Sequence, residues 1–266
     1  MDTTSARECA LYLYGIVRSC DAVDLGPIGI EAGGKPERVY PLAIDDVAAV
    51  VSRCPARARV LPIRKNLDAQ SSVLRQLLNS PGGVLPFRFG HVVPDEAEVR
   101  RILATHRQDI AGELAGVAGR VELALKIFWD VENIFDHLLR QDPALSAERE
   151  RLFAGGRQPS RDECIDLGRR FAARIDEERQ AHGRQVLEAL DDVVVDTRED
   201  PAVGEKMVLN LAILAERCRL VELEERVQEV AGRFPDTLLF KYSGPFAPFH
   251  FVTLNIAEEM GAGGRR

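Results

Sequence analysis

Several things are scarce in this chain of 266 residues. It has a single tryptophan, 6% aromatic residues and five cysteines that never form a C-x-x-C pair. Without close Cys or His pairs a structural zinc site has no ligand pattern to grow from, and five scattered thiols (Cys9, Cys20, Cys54, Cys164, Cys218) fit a reducing compartment. No apolar run reaches the ~18 residues that a membrane-spanning helix requires. The start, MDTTSARECALYLYGIV, puts acidic residues before a short apolar run and has no small-residue cleavage pattern, so it does not read as a signal peptide. The chain is therefore expected to remain in the cytosol, with no membrane partner.

Clustered positive charge is lacking too. The formal net charge is -7 and the sequence pI about 5.4, which disfavours a nucleic-acid binder, since phosphate binding needs a concentrated basic face. The five histidines (His91, His106, His137, His182, His250) never fall at i, i+3 or i, i+4, and no serine or cysteine sits in a nucleophile-elbow pattern. One tempting motif is Gly29-Ile30-Glu31-Ala32-Gly33-Gly34-Lys35, which has phosphate-loop spacing. The next residue is Pro36, which has neither the hydroxyl for magnesium nor the N–H for phosphate, and the residues after it read as strand. A flexible loop is the expectation there. Acidic runs such as Glu177-Glu178 and Asp191-Asp192 read as solvated helix faces and ends.

The chain does have 45% hydrophobic residues, arranged in strand-length and helix-length patterns. Leu11 to Val17 reads as a central strand, 21–36 as a Gly- and Pro-rich excursion, and Val39 to Ile44 with Val47 to Val51 as two strands turned at Asp45-Asp46. A helix capped by Asn66 is expected to reach Leu78. Pro94, Asp95, Glu96 and Glu98 open a longer helix whose apolar stripe is Val99, Ile102, Leu103, His106, Ile110, Leu114 and Val117. Val121 to Trp129 alternates as a strand with one buried face.

Beyond it, Pro143, Pro159 and Ala154-Gly155-Gly156 mark a boundary, giving expected domains at 1–130 and 131–266. A long helix spans 161–190, with Cys164, Leu167, Phe171, Ile175, His182, Val186 and Leu190 as its stripe. Strands at Val193 to Thr197 and Met207 to Ala215 come next, then a helix marked by Leu220, Leu223, Val227, Val230 and Phe234, and a last strand from Thr237. From Val121 onward this is βαββαβ, the order of a ferredoxin-like unit, and the first half is a less tidy version. The expected fold class is α+β: two ferredoxin-like-type domains, antiparallel sheets with helices packed on one face.

The most distinctive stretches are Gly83 to Val92, GVLPFRFGHV, and Lys241 to Leu254, KYSGPFAPFHFVTL. Both contain Pro-Phe-x-Phe: Pro86-Phe87-Arg88-Phe89 and Pro248-Phe249-His250-Phe251. Proline removes a ladder donor, so each is expected to be a strand entered through a fixed corner. If their aromatics are exposed they are the best candidates for a partner surface: Pro86, Phe87, Arg88, Phe89, Gly244, Pro245, Phe246, Pro248, Phe249 and Phe251.

In these segments the chain resembles the gas vesicle protein F/L family. LYLYGIV, VLPFRFG, VELALKIFWD, Leu209 to Leu214 and GPFAPFHFV occur in that family's order over nearly the whole chain. The family's terminal motif has Trp-Pro-Pro-Tyr character after Gly-Pro; here the residues are Phe246-Ala247-Pro248-Phe249, which keep most of the bulk but lose the indole N–H and the phenol. The resemblance implies a cytoplasmic, gas vesicle-associated accessory or minor structural protein. It would bind the small hydrophobic shell subunit, work with other gas vesicle accessory proteins and carry out no catalysis, with no cofactor or metal. The alternative left by the residues alone is a ferredoxin-like small-molecule enzyme or ligand-sensing module.

Overall fold

A computed structural model of the protein describes residues 9–55, 60–156 and 158–253. Residues 1–8, part of the stretch tested as a signal peptide, and Leu254, the last residue of the C-terminal aromatic stretch, lie outside the described residues. In chain order the elements are β1 (Cys9–Arg18), a 3-10 turn, β2 (Glu31–Ala32), β3 (Lys35–Pro36), β4 (Val39–Ile44), β5 (Val47–Pro55), α1 (Arg64–Leu77), β6 (Leu85–Pro86), β7 (Val92–Val93), α2 (Glu96–Thr105), α3 (Arg107–Val117) and β8 (Arg120–Trp129). After these come α4 (Ile134–Gln141), α5 (Pro143–Phe153), α6 (Arg161–Leu190), β9 (Asp196–Glu199), β10 (Met207–Glu216), α7 (Leu220–Ala231) and β11 (Leu238–Phe246).

Two compact units result. One takes the described residues up to Glu122, together with Glu216–Cys218 and those from Pro245 onward; the other takes Leu123–Ala215 and Arg219–Gly244. The division falls inside β8, eight residues before the expected 130/131 boundary, because the composition break that suggested it lies in the helices α4 and α5, which belong wholly to the second unit.

In the first unit the sheet order is β4-β5-β1-β6, with β7 also pairing with β1, and these neighbours run antiparallel. Numbering the strands β1, β4, β5 and β6 from first to fourth gives 2-3-1-4, the ferredoxin-like order, with the excursion 19–38 standing where the first crossover helix would be. A register shift between Leu13 and Gly15 is a β-bulge. It returns Ile16 to the face of Leu11 and Leu13, where all three join the core with Leu103, Ile110 and Leu114 of α2 and α3. Tyr12 and Tyr14 point the other way, toward Gln70 of α1 and Ser52 of β5. Helices thus cover both faces of this sheet, where one helical face was expected. The reason is composition: Ala10 to Val17 are buried throughout, and a strand apolar on both faces needs cover on both.

The second unit has the order β11-β8-β10-β9, the 4-1-3-2 arrangement of βαββαβ. Its helical face is marked by Trp129, against which Arg179 of α6 stacks, and by Leu209, against which Gly183 of α6 sits. Phe240 contributes to the same face through its ring contact with Phe234, which in turn meets His182. The helix α6 starts with a complete capping box, Ser160 and Glu163 each satisfying the other's backbone N–H.

Several local expectations shift. Asn66 is not a cap: α1 begins at Arg64 behind Ile63, and the Asn66 amide instead donates to the Leu61 carbonyl. The helix that Pro94 precedes is two helices, broken at His106, where the Thr105 hydroxyl donates back to the Arg101 carbonyl, a contact that bends helices. Cys164 is exposed, since burial along α6 begins one turn later at Leu167. The strand expected at Val193 to Thr197 starts later: the Val195 N–H donates to the Leu214 carbonyl and register pairing runs from Asp196, because Val193 lies in the turn that ends α6 and donates to the Leu190 carbonyl.

Candidate partner surface

The first Pro-Phe-x-Phe segment is not a strand. Leu85–Pro86 and Val92–Val93 each make a two-residue pairing with β1, and Phe87, Arg88 and Phe89 form the loop between them. The loop is set by backbone and side-chain anchors on other elements. The Phe87 N–H donates to the Tyr14 carbonyl at 2.9 Å, and the Leu13 N–H to the His91 carbonyl at 3.0 Å. The Gln70 amide donates to the Phe87 carbonyl at 2.9 Å and accepts the Tyr12 hydroxyl at 2.7 Å, while that hydroxyl accepts the Gly90 N–H at 3.0 Å. Tyr14 completes the layer, its oxygen 2.9 Å from the Ser52 hydroxyl and accepting the Ile30 N–H at 2.8 Å. Both phenols are fully buried, and burial pushes both above the ordinary tyrosine value, Tyr12 well above it, outweighing the hydrogen bonds that favour the phenolate.

The second segment is also a corner. Backbone pairing ends with β11 at Phe246; beyond it the Phe249 N–H donates to the Ala247 carbonyl and the Phe251 N–H to the Pro248 carbonyl, closing tight turns. Proline marks both places without being where pairing stops: Pro86 is the last residue of β6, with the Phe87 N–H still bonded to β1, and Pro248 lies two residues beyond the end of β11, which itself contains Pro245. The anchor here is the carboxylate of Glu122 on β8, a residue only 4% exposed. It accepts the His250 N–H at 2.9 Å and lies 2.6 Å from His250 Nδ1. Further along, Glu113 of α3 accepts from the Thr253 hydroxyl, and Val252 packs on the core of the first unit. Strand alternation alone places Glu122 on the solvent side; its burial comes from the segment laid over it.

The ten candidate residues separate by exposure. Arg88, Gly244, Pro245 and Phe246 are exposed, Phe246 at 44%; Pro86, Phe89, Phe249 and Phe251 are half-buried; Phe87 and Pro248 are buried. Phe87 packs in the core and lies 5.4 Å from the His91 ring, and Phe89 meets Tyr12 edge-on at 6.0 Å. Phe87 and Phe89 are brought together on one loop and Phe249 and Phe251 on another, which follows Phe246 at the end of β11, each loop with its own anchors. The anchors Tyr12, Tyr14, Gln70 and Glu122 do not stand out in the sequence. Only a buried Gln or Glu on an otherwise apolar face could signal them, and alternation points Glu122 outward.

The remaining motifs do not assemble chemistry. Gly33 and Gly34 have φ of 65° and 85° and form the two-residue turn of the β2-β3 hairpin, so no helix begins at Lys35 to aim N–H groups at a phosphate. His91 Nδ1 lies 2.9 Å from the Arg88 carbonyl. The His182 ring contacts Glu178, and the His137 ring accepts from the Gln141 amide. Among the described residues no three His, Cys, Asp or Glu side chains group as metal ligands, and no helix is long and apolar enough to cross a membrane.

Fold and surface define a class, a two-unit α+β protein in which both sheets carry ferredoxin-like strand order. The family model for gas vesicle synthesis protein GvpL/GvpF matches residues 10–253, and the chain belongs to that family. Among its relatives, gas vesicle protein F of a Streptomyces species is 29% identical over 91% of this chain and 98% of that protein. Gas vesicle protein F of Dolichospermum flosaquae is 26% identical over 92% and 98%. The crystal structure of GvpF from Microcystis aeruginosa superposes with a TM-score of 0.76 at 25% identity, covering 92% of this chain and 99% of that one. That of GvpF from Anabaena sp. PCC7120 gives the same TM-score at 24% identity, over 92% and 98%. Family membership supports a role in gas vesicle formation.

Proposed function

We propose that the protein is a non-enzymatic assembly or minor structural factor of gas vesicles, acting in the cytoplasm and at the vesicle. It binds the small hydrophobic shell subunit, with other gas vesicle accessory proteins as further partners. The observation that carries this reading is the family match over residues 10–253, in a chain whose two signature segments are hydrogen-bonded corners, with Phe89 half-buried at the first and Phe246 exposed before the second. An apolar shell subunit fits such a surface because exposed aromatic side chains contribute large contact area with little entropy to lose. Of the ten candidates, Phe89, Phe246, Phe249, Phe251 and Arg88 meet the partner, with Gly244 and Pro245 at the rim. Pro86, Phe87 and Pro248 hold the corners in shape.

The test is co-purification of the shell subunit with the wild-type protein and with Arg88→Ser and Phe246→Ser. Retention by the wild type and loss by the variants is the expected result. Normal vesicles in a cell lacking the gene, together with no measurable shell binding, would overturn the reading. So would a large thermal shift with one nucleotide or metabolite, which would favour a ligand-sensing module.

A further inference from the structure

The sheet of the second unit ends in two edge strands, because its order is β11-β8-β10-β9. Each of these pairs on one side only. An edge leaves a row of backbone N–H and C=O groups open to another chain, and shortness is one way of blunting it. β9 has four residues and β11 has nine. The long edge is also accessible: Leu239 is 41% exposed, and Lys241 and Ser243 are open to solvent.

The two faces beside this edge differ in charge. Phe240 lies on the helical face through its contact with Phe234, so by alternation Leu239, Lys241 and Ser243 project from the opposite, open face. Lys241 Nζ stands 5.0 Å from the centre of the Phe128 ring, which places Phe128 there too, together with Lys126 two residues earlier on β8. Both lysines are exposed. Neither forms an ion pair with a carboxylate among the described residues, so their charge is uncompensated on a chain whose net charge is -7. On the helical face the charge acting at this edge has the other sign, Glu224 of α7 on Tyr242. Carboxylates therefore suit the open face alone.

We propose that the edge of β11 from Leu239 to Ser243 accepts an extended segment of a protein partner as an added strand, with carboxylates at alternate positions of that segment meeting Lys126 and Lys241. Backbone pairing supplies the affinity in such an arrangement, and the alternate side chains supply the selection. Leu239 and half-buried Phe128 give the aliphatic parts of those side chains an apolar surface. The lysines also argue against a second copy of this chain, since like charges brought together across a strand pair destabilise it, and Pro245 has no N–H to donate. The site stops before Gly244, Pro245 and Phe246 and does not rest on their assignment to the shell subunit.

The experiment titrates the full-length protein into fluorescent synthetic peptides of equal length, one alternating valine with glutamate and one alternating valine with lysine. Two further forms of the acidic peptide carry N-methyl groups, one on the valine amides and one on the glutamate amides. The acidic peptide should bind and the basic one should not. An added strand turns alternate N–H groups toward β11, so one methylated form should lose binding about tenfold or more and the other should keep it. Lys126→Glu with Lys241→Glu should weaken binding about tenfold, and added salt should weaken it as well. If that variant fails to fold, Lys126→Gln with Lys241→Gln carries the charge test. Phe246→Ser, which should release the shell subunit, should leave the acidic peptide bound. No binding, equal binding of the acidic and basic peptides, the same behaviour of both methylated forms, or indifference to the lysine substitutions would overturn the proposal. So would loss of the peptide in Phe246→Ser, which would place it on the shell surface. Self-association abolished by Leu239→Lys, or tighter binding to anionic vesicles than to the acidic peptide, would overturn it in favour of a second copy or a lipid surface. None of these outcomes alters the co-purification test of shell binding.

Discussion

Replacing Gln70 by Leu tests whether the first aromatic corner is held by a single buried amide. Gln70 is 6% exposed and makes two hydrogen bonds, one as acceptor from Tyr12 and one as donor to Phe87. Leucine keeps nearly the same volume, so no large cavity opens and the loss is almost entirely polar. Each hydrogen bond contributes about 0.5–1.5 kcal/mol net, and a buried partner left without one costs about 1–3 kcal/mol. The Tyr12 hydroxyl keeps the Gly90 N–H but loses the group it donates to, and the Phe87 carbonyl loses its amide donor. The sum is about 2–4 kcal/mol. At roughly 2–4 °C per kcal/mol for a chain of this size, Tm should fall by roughly 4–16 °C in calorimetry. Hydrogen exchange supplies the local readout: the Phe87 and Gly90 amides should lose protection beyond the global change, while amides in β10 should track the global change alone. A variant within about 2 °C of wild type and with unchanged protection at Phe87 and Gly90 would refute the reasoning and leave the corner to backbone pairing with β1.

The same structure yields further expected outcomes. All four tyrosines are pushed above their ordinary value, chiefly by burial, Tyr242 to about 12. Unfolded phenols ionise near pH ~10, so the folded state holds more protons above that pH and stability declines as pH rises further. Phenolate absorbance should stay flat near pH ~10 and rise together with the loss of far-UV circular dichroism; a normal titration of folded protein would contradict the burial of Tyr12 and Tyr14. Burial pushes His137 down, assisted by Arg140. The unfolded state therefore takes up the proton first, and stability present above pH ~6.5 is lost on acidification below it. Urea midpoints of His137→Leu should depend less on pH than those of wild type in that window, and parallel curves would dismiss the assignment. Gly83 has a φ of 82°, and a Cβ there would stand 3.0 Å from the Val117 carbonyl. Gly83→Ala should destabilise by about 1–2 kcal/mol or more. Gly112→Ala, in open space on α3, should stabilise by about 0.5–1 kcal/mol, and equal thermal shifts for the two would disprove the backbone argument.

The second unit is legible in the sequence because its periodicities are long and separate: alternation over Val121 to Trp129, a helical stripe across 161–190 and a buried run over Met207 to Ala215 correspond closely to β8, α6 and β10. The first unit is less legible because its central strands are apolar on both faces, and such a strand does not say on which side its helices lie. A bulge such as that between Leu13 and Gly15 also erases the alternation that would say which side each residue takes. Short pairings are the least visible. The two-residue strands β6 and β7 depend on β1, and the break at His106 depends on one threonine hydroxyl. Neither leaves a period to read.

The repeated Pro-Phe-x-Phe sequence shows where a motif carries structure and where it leaves function open. In both places pairing stops within two residues of the proline and the chain turns. In both, the turn is then held by a buried polar side chain far away in sequence: Gln70, itself bonded to Tyr12, at the first corner, and Glu122, which receives His250 from 128 positions along the chain, at the second. The motif alone does not distinguish its phenylalanines, because their fates depend on those distant anchors. At the first corner Phe87 is drawn into the core and only Phe89 remains partly accessible, whereas before the second corner Phe246 stays at the surface. Truncating Phe87 would therefore lower stability whatever the partner, so a binding defect in such a variant could not assign the surface. The residues able to report on binding without that ambiguity are Phe246 and Arg88, which are exposed and can be changed while both corners keep their anchors.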